Sequence, residues 1–285
     1  MSTPETPSLL ISTDWAQEWK NLQAVRKRAD DSSYWDSRAK NFGSNDKPSD
    51  YARSFIELAD LREGESVFDM GCGNGALALP LARAGHPVLA ADFSRGMLEG
   101  LEASMAAEGL TGITAKQASW EGDWEAAGIL PKSCDVAFAS RSIATSDLRD
   151  SLERLSSVAR RKCCITLSTG HSPRSDDNIL RAIGFENSMG RDYWYAVNIL
   201  IQMGLRPELR YINSERFDVY ESFDEAYGNI SLMLHGLGDM VTEERLAQLQ
   251  NNLLAWTKEH LKPCNGGFSF DQPRCVSWAF ISWNV

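Results

Sequence analysis

Short apolar runs alternate along the chain with longer segments whose apolar positions recur at helical spacing. The apolar runs predict seven strands, at 66–70, 88–91, 113–118, 134–139, 163–168, 208–213 and 276–283. The periodic segments predict helices at 49–60, 76–84, 94–108, 147–159, 177–183 and 192–203, two more that begin near 222 and 242, and one or two within 14–42. This alternation predicts a doubly wound α/β fold with a mostly parallel sheet.

Connection lengths divide the chain into four segments. These are an N-terminal helical cap at 1–60, a core at 61–213, a helical insertion at 214–273 and the last strand of the core sheet at 274–285. The insertion is either a cover over a substrate site or a helical pair that stabilises the fold. In the cap, Tyr34 and Trp35 leave a similar choice between a lid and core packing.

The first predicted strand ends in an acid and leads into the turn Gly71-Cys72-Gly73-Asn74-Gly75. A chain that turns at once from a buried strand into a helix needs unusual backbone angles, and a ligand pressed against the turn leaves no room for side chains. The second predicted strand ends in Asp92, the usual place in a Rossmann-like unit for an acid that accepts hydrogen bonds from ribose hydroxyls. Together these features predict a cofactor site at the carboxyl edge of the sheet.

The run from Asp69 to Gly75 resembles the first signature motif of the class I S-adenosylmethionine-dependent methyltransferases, and Ala91-Asp92-Phe93-Ser94 resembles their second. The resemblance is strong over residues 65–168. It implies a mostly parallel, seven-stranded Rossmann-like sheet and methyl transfer from S-adenosylmethionine, with S-adenosylhomocysteine as the product. It also implies that the last two strands form a hairpin with one strand antiparallel to the rest, interrupted here by the insertion.

The same resemblance implies roles for single residues. Gly71 and Gly73 would lie against the methionine part of the cofactor, and Asp92 would hold the ribose. The full set of expected cofactor-binding residues is Asp69, Gly71, Cys72, Gly73, Asp92, Phe93, Met97, Ser119, Trp120 and Ser140.

The adenine would be bordered by Phe93 and Met97, and by two residues that follow the third strand. Ser119 could hydrogen-bond the edge of the base, and Trp120 could stack on the base or simply plug the pocket.

Three other interpretations of the glycine turn stay open. A nicotinamide or flavin protein usually has the wider G-x-G-x-x-G spacing, although that motif sometimes ends in alanine, as position 76 does here. A non-catalytic sensor of S-adenosylmethionine would share every cofactor residue, and a tight turn without any ligand would leave the acid after the second strand unexplained. A P-loop is excluded because no Gly-Lys-Ser or Gly-Lys-Thr follows the glycines.

Two residues after later strands are candidates for catalysis. Arg141 follows the fourth strand, where its guanidinium could pair with a carboxylate of the cofactor or of an acidic substrate, or else form an ion pair with a neighbouring helix. His171 follows the fifth strand and could accept a proton at neutral pH, or be an ordinary surface residue. Methyl transfer mainly needs donor and acceptor to be oriented, so a base is optional. Aromatic candidates for walls of the acceptor site, which are core residues by default, are Tyr34, Tyr51, Tyr193 and Trp194.

Composition narrows the partners. The net charge of −10 disfavours a nucleic acid as the main partner. The chain also lacks the Asn or Asp followed by Pro-Pro and an aromatic residue that nucleobase amino-methyltransferases carry after strand four. We therefore expect a small-molecule acceptor. No apolar run is long enough to span a bilayer and the N-terminus does not resemble a secretion signal, which predicts a cytoplasmic protein. The six cysteines show no C-x-x-C pair, as suits a reducing compartment, and we expect no metal site. The acceptor and the oligomeric state are not predicted.

Overall fold

Strands and helices alternate along most of the chain in the computed structural model, which describes residues 13–26, 49–172, 175–186, 191–235, 237 and 241–285. The strands are β1 (Val67–Met70), β2 (Val88–Asp92), β3 (Ile113–Gln117), β4 (Cys134–Ser140), β5 (Ala159–Ser168), β6 (His171–Ser172), β7 (Ser175–Asp176), β8 (Glu208–Arg216), β9 (Val219–Tyr220), β10 (Leu261–Cys264), β11 (Gly267–Phe270) and β12 (Arg274–Asn284). The helices are α1 (Trp15–Val25), α2 (Asp50–Ala59), α3 (Ala78–Arg83), α4 (Arg95–Glu108), α5 (Leu148–Val158), α6 (Asp177–Ala182), α7 (Asp192–Gln202), α8 (Phe223–His235) and α9 (Glu243–His260).

One seven-stranded sheet organises the molecule, with the strand order β3-β2-β1-β4-β5-β12-β8. Neighbouring strands are parallel except that β12 runs antiparallel to both β5 and β8. The doubly wound sheet and the antiparallel final pair predicted from the sequence are therefore confirmed. The β8–β12 pair begins with Arg216 opposite Arg274, so everything between these two residues leaves and re-enters the sheet at one point.

Helices cover both faces of the sheet because the buried strands present apolar side chains on both sides. On one face Trp19 of α1 is fully buried with residues of α5 and α7, and its indole N–H donates to the carbonyl of Thr145 at 2.8 Å. On the other face Phe55 of α2 packs edge-on against Phe138 and Phe280, with ring centroids 5.0 and 5.1 Å away. Helix α2 is thus anchored on the strands whose ends form the site.

Five helices begin close to their predicted positions, where the side chains of Asp14, Ser49, Ser94, Asp147 and Thr242 each accept a hydrogen bond from a backbone N–H of the first turn. The helix after the glycine turn begins at Ala78, two residues later than predicted. The preceding glycines, Gly71, Gly73 and Gly75, all take positive φ angles that a right-handed helix excludes, so the helix cannot begin before residue 76.

The sequence predicted a helical insertion, but the insertion also contains strands. Helices α8 and α9 are joined by a three-stranded sheet in the order β10-β11-β9, packed around its own apolar cluster. These strands are short, one contains Pro263, and β9 pairs with a segment about 50 residues away, so local periodicity does not reveal them. Residues of α6 belong to the same cluster, which links the insertion to the core.

At the N-terminus, α1 confirms the first predicted helix of the cap. Tyr34 and Trp35, and with them the expected lid segment, lie outside the described residues. In the described part of the chain, no helix combines the length and the apolar character that crossing a membrane requires.

Candidate active site

The glycine turn is held against the end of β2 by backbone hydrogen bonds. Gly71 N–H donates to the carbonyl of Ala91 at 2.7 Å, and Gly73 N–H donates to Oδ2 of Asp92 at 2.8 Å. The other carboxylate oxygen of Asp92 accepts from Ser94 N–H at 2.9 Å. The acid that the sequence predicted beside the turn therefore also fixes the shape of the turn.

Two of the glycines are needed for different reasons. Gly71 has φ +75°, and a Cβ there would collide with the side chain of Ser142. Gly73 has φ +56°, and among the described residues no heavy atom lies within 4 Å of a Cβ placed there, so this part of the chain leaves open space before the Gly73 backbone. A ligand could approach the chain closely at Gly73. Cys72 between them turns its side chain into the core, and so offers a ligand only its backbone.

Asp69 is a buried carboxyl group at 1% exposure, and its Oδ1 atom makes no hydrogen bond within the described part of the chain. Burial, and secondly the negative charge of Asp92, raise the pKa of Asp69 to about 7. A cationic group placed in the crevice at the glycine turn, beside Asp69 and Asp92, would supply the missing partner of the Asp69 carboxyl group. The orphaned carboxyl and the open space at Gly73 both fit S-adenosylmethionine, which carries a sulfonium and an ammonium group.

Phe93 and Ser119, two of the residues expected at the adenine, line one cavity of about 340 Å³ beside the ends of β2 and β3. Met97 is buried in the first turn of α4. Trp120 is buried, and its indole N–H donates to the carbonyl of Ser142 at 2.8 Å. This hydrogen bond and the core packing fix the position of the ring, and both alternatives for Trp120 stay predictions.

A second group of polar residues meets at the ends of β4 and β5. The hydroxyl of Tyr51 lies 2.8 Å from Ser140 Oγ and 2.6 Å from Thr166 Oγ1. Arg141 N–H donates to Thr166 Oγ1 at 3.1 Å, and its guanidinium carbon lies 4.2 Å from the centroid of the Tyr51 ring. The ion pair to a neighbouring helix, which was the alternative for Arg141, is not formed with any described residue.

From the sequence Tyr51 is predicted only as a wall of the acceptor site, and Thr166 has no predicted role. Tyr51 lies 89 residues from Ser140 and 115 residues from Thr166 in the chain, and no local sequence pattern predicts contacts over such separations. The one available signal was the placement of Thr166 near the end of a predicted strand that reaches the same sheet edge.

His171 lies apart from these groups, in the short strand β6. Its Nδ1 atom is 3.6 Å from Oδ1 of Asp176, an oxygen that also caps α6 by accepting from Asn178 N–H at 3.0 Å. Within the described ranges, no hydrogen bond or ion pair joins His171 to another predicted site residue. The structure thus offers no contact that supports His171 as a base.

Three residues near the C-terminus, His260, Cys264 and Cys275, are of types that can bind a metal ion. Both cysteines are exposed, and His260 instead lies 3.1 Å from Asp271. Over the described residues, no cluster of three or more His, Cys, Asp or Glu side chains could hold a metal ion.

Similarity to known proteins is found at the level of both sequence and fold. Residues 67–162 match a family described as a methyltransferase domain. An uncharacterized protein of Haemophilus influenzae is 31% identical over 254 residues, which cover 88% of each chain.

Two solved structures share the fold at low sequence identity. A putative methyltransferase of Bacillus halodurans is similar with a TM-score of 0.54 and 12% identity, over 82% of this chain and 97% of that one. A phosphoethanolamine N-methyltransferase of Haemonchus contortus, solved with phosphomonomethylethanolamine and S-adenosylhomocysteine, is similar with a TM-score of 0.51 and 14% identity, over 95% of this chain and 60% of that one.

Proposed function

Since the chain belongs to the class I S-adenosylmethionine-dependent methyltransferases, we propose that it binds S-adenosylmethionine at the glycine turn and methylates a small molecule. The observation that carries the proposal is the crevice itself: open space before Gly73, bounded by the carboxylate of Asp92 and the unpartnered carboxyl of Asp69. When bound, the cofactor supplies an electrophilic methyl group on a sulfonium.

The residues of the crevice would bind and orient that cofactor. Asp92 accepts hydrogen bonds from ribose hydroxyls, and Asp69 pairs with the positive charge of the methionine part. On the adenine side, Phe93 and Ser119 border the base in the cavity that they line, Met97 backs it, and the remaining expected contacts, Gly71, Cys72, Trp120 and Ser140, shape the walls. His171 remains a candidate base only if the acceptor brings it into contact.

A small-molecule acceptor in the cytoplasm is part of the same proposal. The acidic net charge opposes binding to a nucleic-acid backbone, and Ser140-Arg141-Ser142 differs from the pattern of nucleobase amino-methyltransferases. All six cysteines are free thiols, four of them buried, which supports a reducing compartment. The segments 61–213 and 274–285 would form the cofactor-binding core and 214–273 a cover over the acceptor.

Calorimetric titration with S-adenosylhomocysteine tests the cofactor assignment. We expect saturable binding by the native chain and a roughly 10- to 100-fold weaker affinity for Asp92→Asn, because charge-assisted hydrogen bonds contribute about 1.5–3 kcal/mol and about 1.4 kcal/mol is a factor of ten. Asp147→Asn is the matched control, since its carboxylate also accepts a backbone N–H, but its partners are Asp150 and Lys20 and not the glycine turn.

Absence of saturable binding by the native chain would overturn the proposal. Retention on a nicotinamide dinucleotide resin would instead support a nicotinamide-binding protein. Methyl transfer itself is measured by incubating radiolabelled S-adenosylmethionine with a fractionated cell extract and following label into small molecules.

A further inference from the structure

Arg141 lies on a shelf of two aromatic rings at the carboxyl edge of the sheet. Its guanidinium carbon is 4.2 Å from the ring centroid of Tyr51 and 5.8 Å from that of Trp278. Stacking on rings occupies the faces of a guanidinium and leaves the N–H groups at its rim available. Arg141 is exposed, so these donors point to where a ligand can reach them.

The backbone of Arg141 is held in an unfavourable conformation. Its φ angle is +60°, in the left-handed region, which is unfavourable for a residue with a Cβ. The hydroxyl of Thr166 accepts the N–H of Arg141 and is itself hydrogen-bonded to Tyr51. A glycine would satisfy this turn without strain, so the turn alone does not explain an arginine here.

The charge of Arg141 is not neutralised by a neighbouring acid. Other arginines of the fold form ion pairs with carboxylates, as Arg83 does with Glu108 and Arg161 with Glu65. Arg141 forms none with the residues that the structure describes. Burial raises the pKa of Tyr51, so the phenol beside it stays neutral.

The shelf lies beside the crevice, on the other side of β4. Trp278 belongs to β12 and pairs with Ser168 at the end of β5, whereas the glycine turn follows β1 and Asp92 ends β2. Besides burial, the negative charge of Asp69 contributes to the raised pKa of Tyr51, so the shelf is close to the crevice. The guanidinium therefore lies over Tyr51 and Trp278, next to the space proposed for the cofactor.

From this geometry we propose that the methyl acceptor carries a carboxylate or phosphate group, and that Arg141, stacked on Tyr51 and Trp278, binds that group. A planar guanidinium offers paired N–H donors that match two oxygens of either anion. The inference rests on the proposed function, because it assumes that the crevice holds the cofactor.

Titration of the protein saturated with S-adenosylhomocysteine tests this inference. Inorganic phosphate and acetate are added at constant ionic strength, with acetamide as the neutral analogue of acetate, and tryptophan fluorescence and heat are recorded. We expect at least one anion to saturate the native chain and acetamide not to. In Arg141→Gln the anion affinity falls at least tenfold, in Arg141→Lys it falls less, and S-adenosylhomocysteine affinity changes by less than twofold in both. Arg149→Gln, an equal charge change on the exposed face of α5, keeps the anion affinity.

Three results would overturn the inference. The first is S-adenosylhomocysteine binding without saturation by either anion. The second is a loss of S-adenosylhomocysteine affinity in Arg141→Gln, which would assign the guanidinium to the carboxylate of the cofactor. The third is an equal loss of anion affinity in Arg149→Gln, which would mark a general charge effect. If the native chain binds no S-adenosylhomocysteine, the proposed function falls and the inference falls with it.

Discussion

Asp69 carries a folding cost that a ligand can relieve. Its pKa is raised to about 7 in the folded chain, against an ordinary value near 4, so between these values the folded state holds a proton that the unfolded state has lost. The contribution of this group to stability is thus present below about pH 4 and is lost as the pH rises to about 7. Above pH 7 the carboxyl group of Asp69 is ionised, and its buried negative charge is stabilised when a cation binds in the crevice but not when the crevice is empty.

We therefore expect S-adenosylmethionine to bind more tightly as the pH rises from 5 to 7, by up to about tenfold per unit, because a protonated Asp69 cannot pair with a positive charge. Calorimetry in buffers of different ionisation enthalpy should show a proton released on binding in this range. Asp69→Asn should bind weakly at every pH and release no such proton. A pH-independent affinity in the native chain would argue against this role.

Gly73 offers a second test at the same scale, because within the described residues only its positive φ angle, and no neighbouring atom, favours glycine there. Gly73→Ala should lower S-adenosylhomocysteine affinity more than tenfold, since its methyl group would occupy the space before the turn. Gly109→Ala is a close control: φ is +65°, and a Cβ there also meets no atom within 4 Å. Both changes should cost a similar 1–2 kcal/mol of left-handed strain in urea unfolding. Equal S-adenosylhomocysteine affinity in the two variants would count against a ligand at Gly73.

At the scale of elements, the hydroxyl of Tyr51 ties α2 to the ends of β4 and β5. Tyr51→Phe keeps the ring under Arg141 but removes the partner of two hydroxyls, one of them on the fully buried Thr166. We expect a loss of about 1–3 kcal/mol in the free energy of unfolding, measured with urea. Tyr227→Phe removes one exposed hydrogen bond of 3.4 Å and should cost less than about 1 kcal/mol. A neutral Tyr51→Phe would mean that water replaces the hydroxyl.

Elements differ in how far the sequence alone predicts them. The seven core strands are predicted because each is an apolar run bounded by turn residues. The glycine turn and Asp92 are predicted because each directly follows or ends one of these strands and is recognised from its immediate sequence. The sheet of β9, β10 and β11 depends on pairing between distant segments. The meeting of Tyr51, Ser140 and Thr166 likewise depends on how α2 docks on the sheet, which no local pattern encodes. The sequence was therefore more informative about the cofactor side than about the acceptor side.

At the scale of the whole molecule, residues 217–273, which are inserted between β8 and β12, form a separate unit. Its apolar cluster joins α8, α9 and the small sheet to Ile179, Leu180 and Ile183 of the α6 segment. The cofactor crevice lies at β1, β2 and β3, on the other half of the sheet. This division supports the proposal that the unit serves the acceptor and not the cofactor, with α6 included in it.

Replacing residues 217–273 with Asn-Gly tests that division. Arg216 and Arg274 face each other in register, so a two-residue turn can close the hairpin. Changing Ile179, Leu180 and Ile183 to polar residues makes the surface that the deletion exposes on α6 polar, and the native full-length chain is the control. We expect cooperative unfolding and an S-adenosylhomocysteine affinity within about threefold of the control, because no contact of the crevice is removed, together with loss of methyl transfer to acceptors in the extract. If the shortened chain folds but no longer binds S-adenosylhomocysteine, the unit supports the cofactor site. If it still methylates the acceptor, the unit is a stabilising appendage and not a cover.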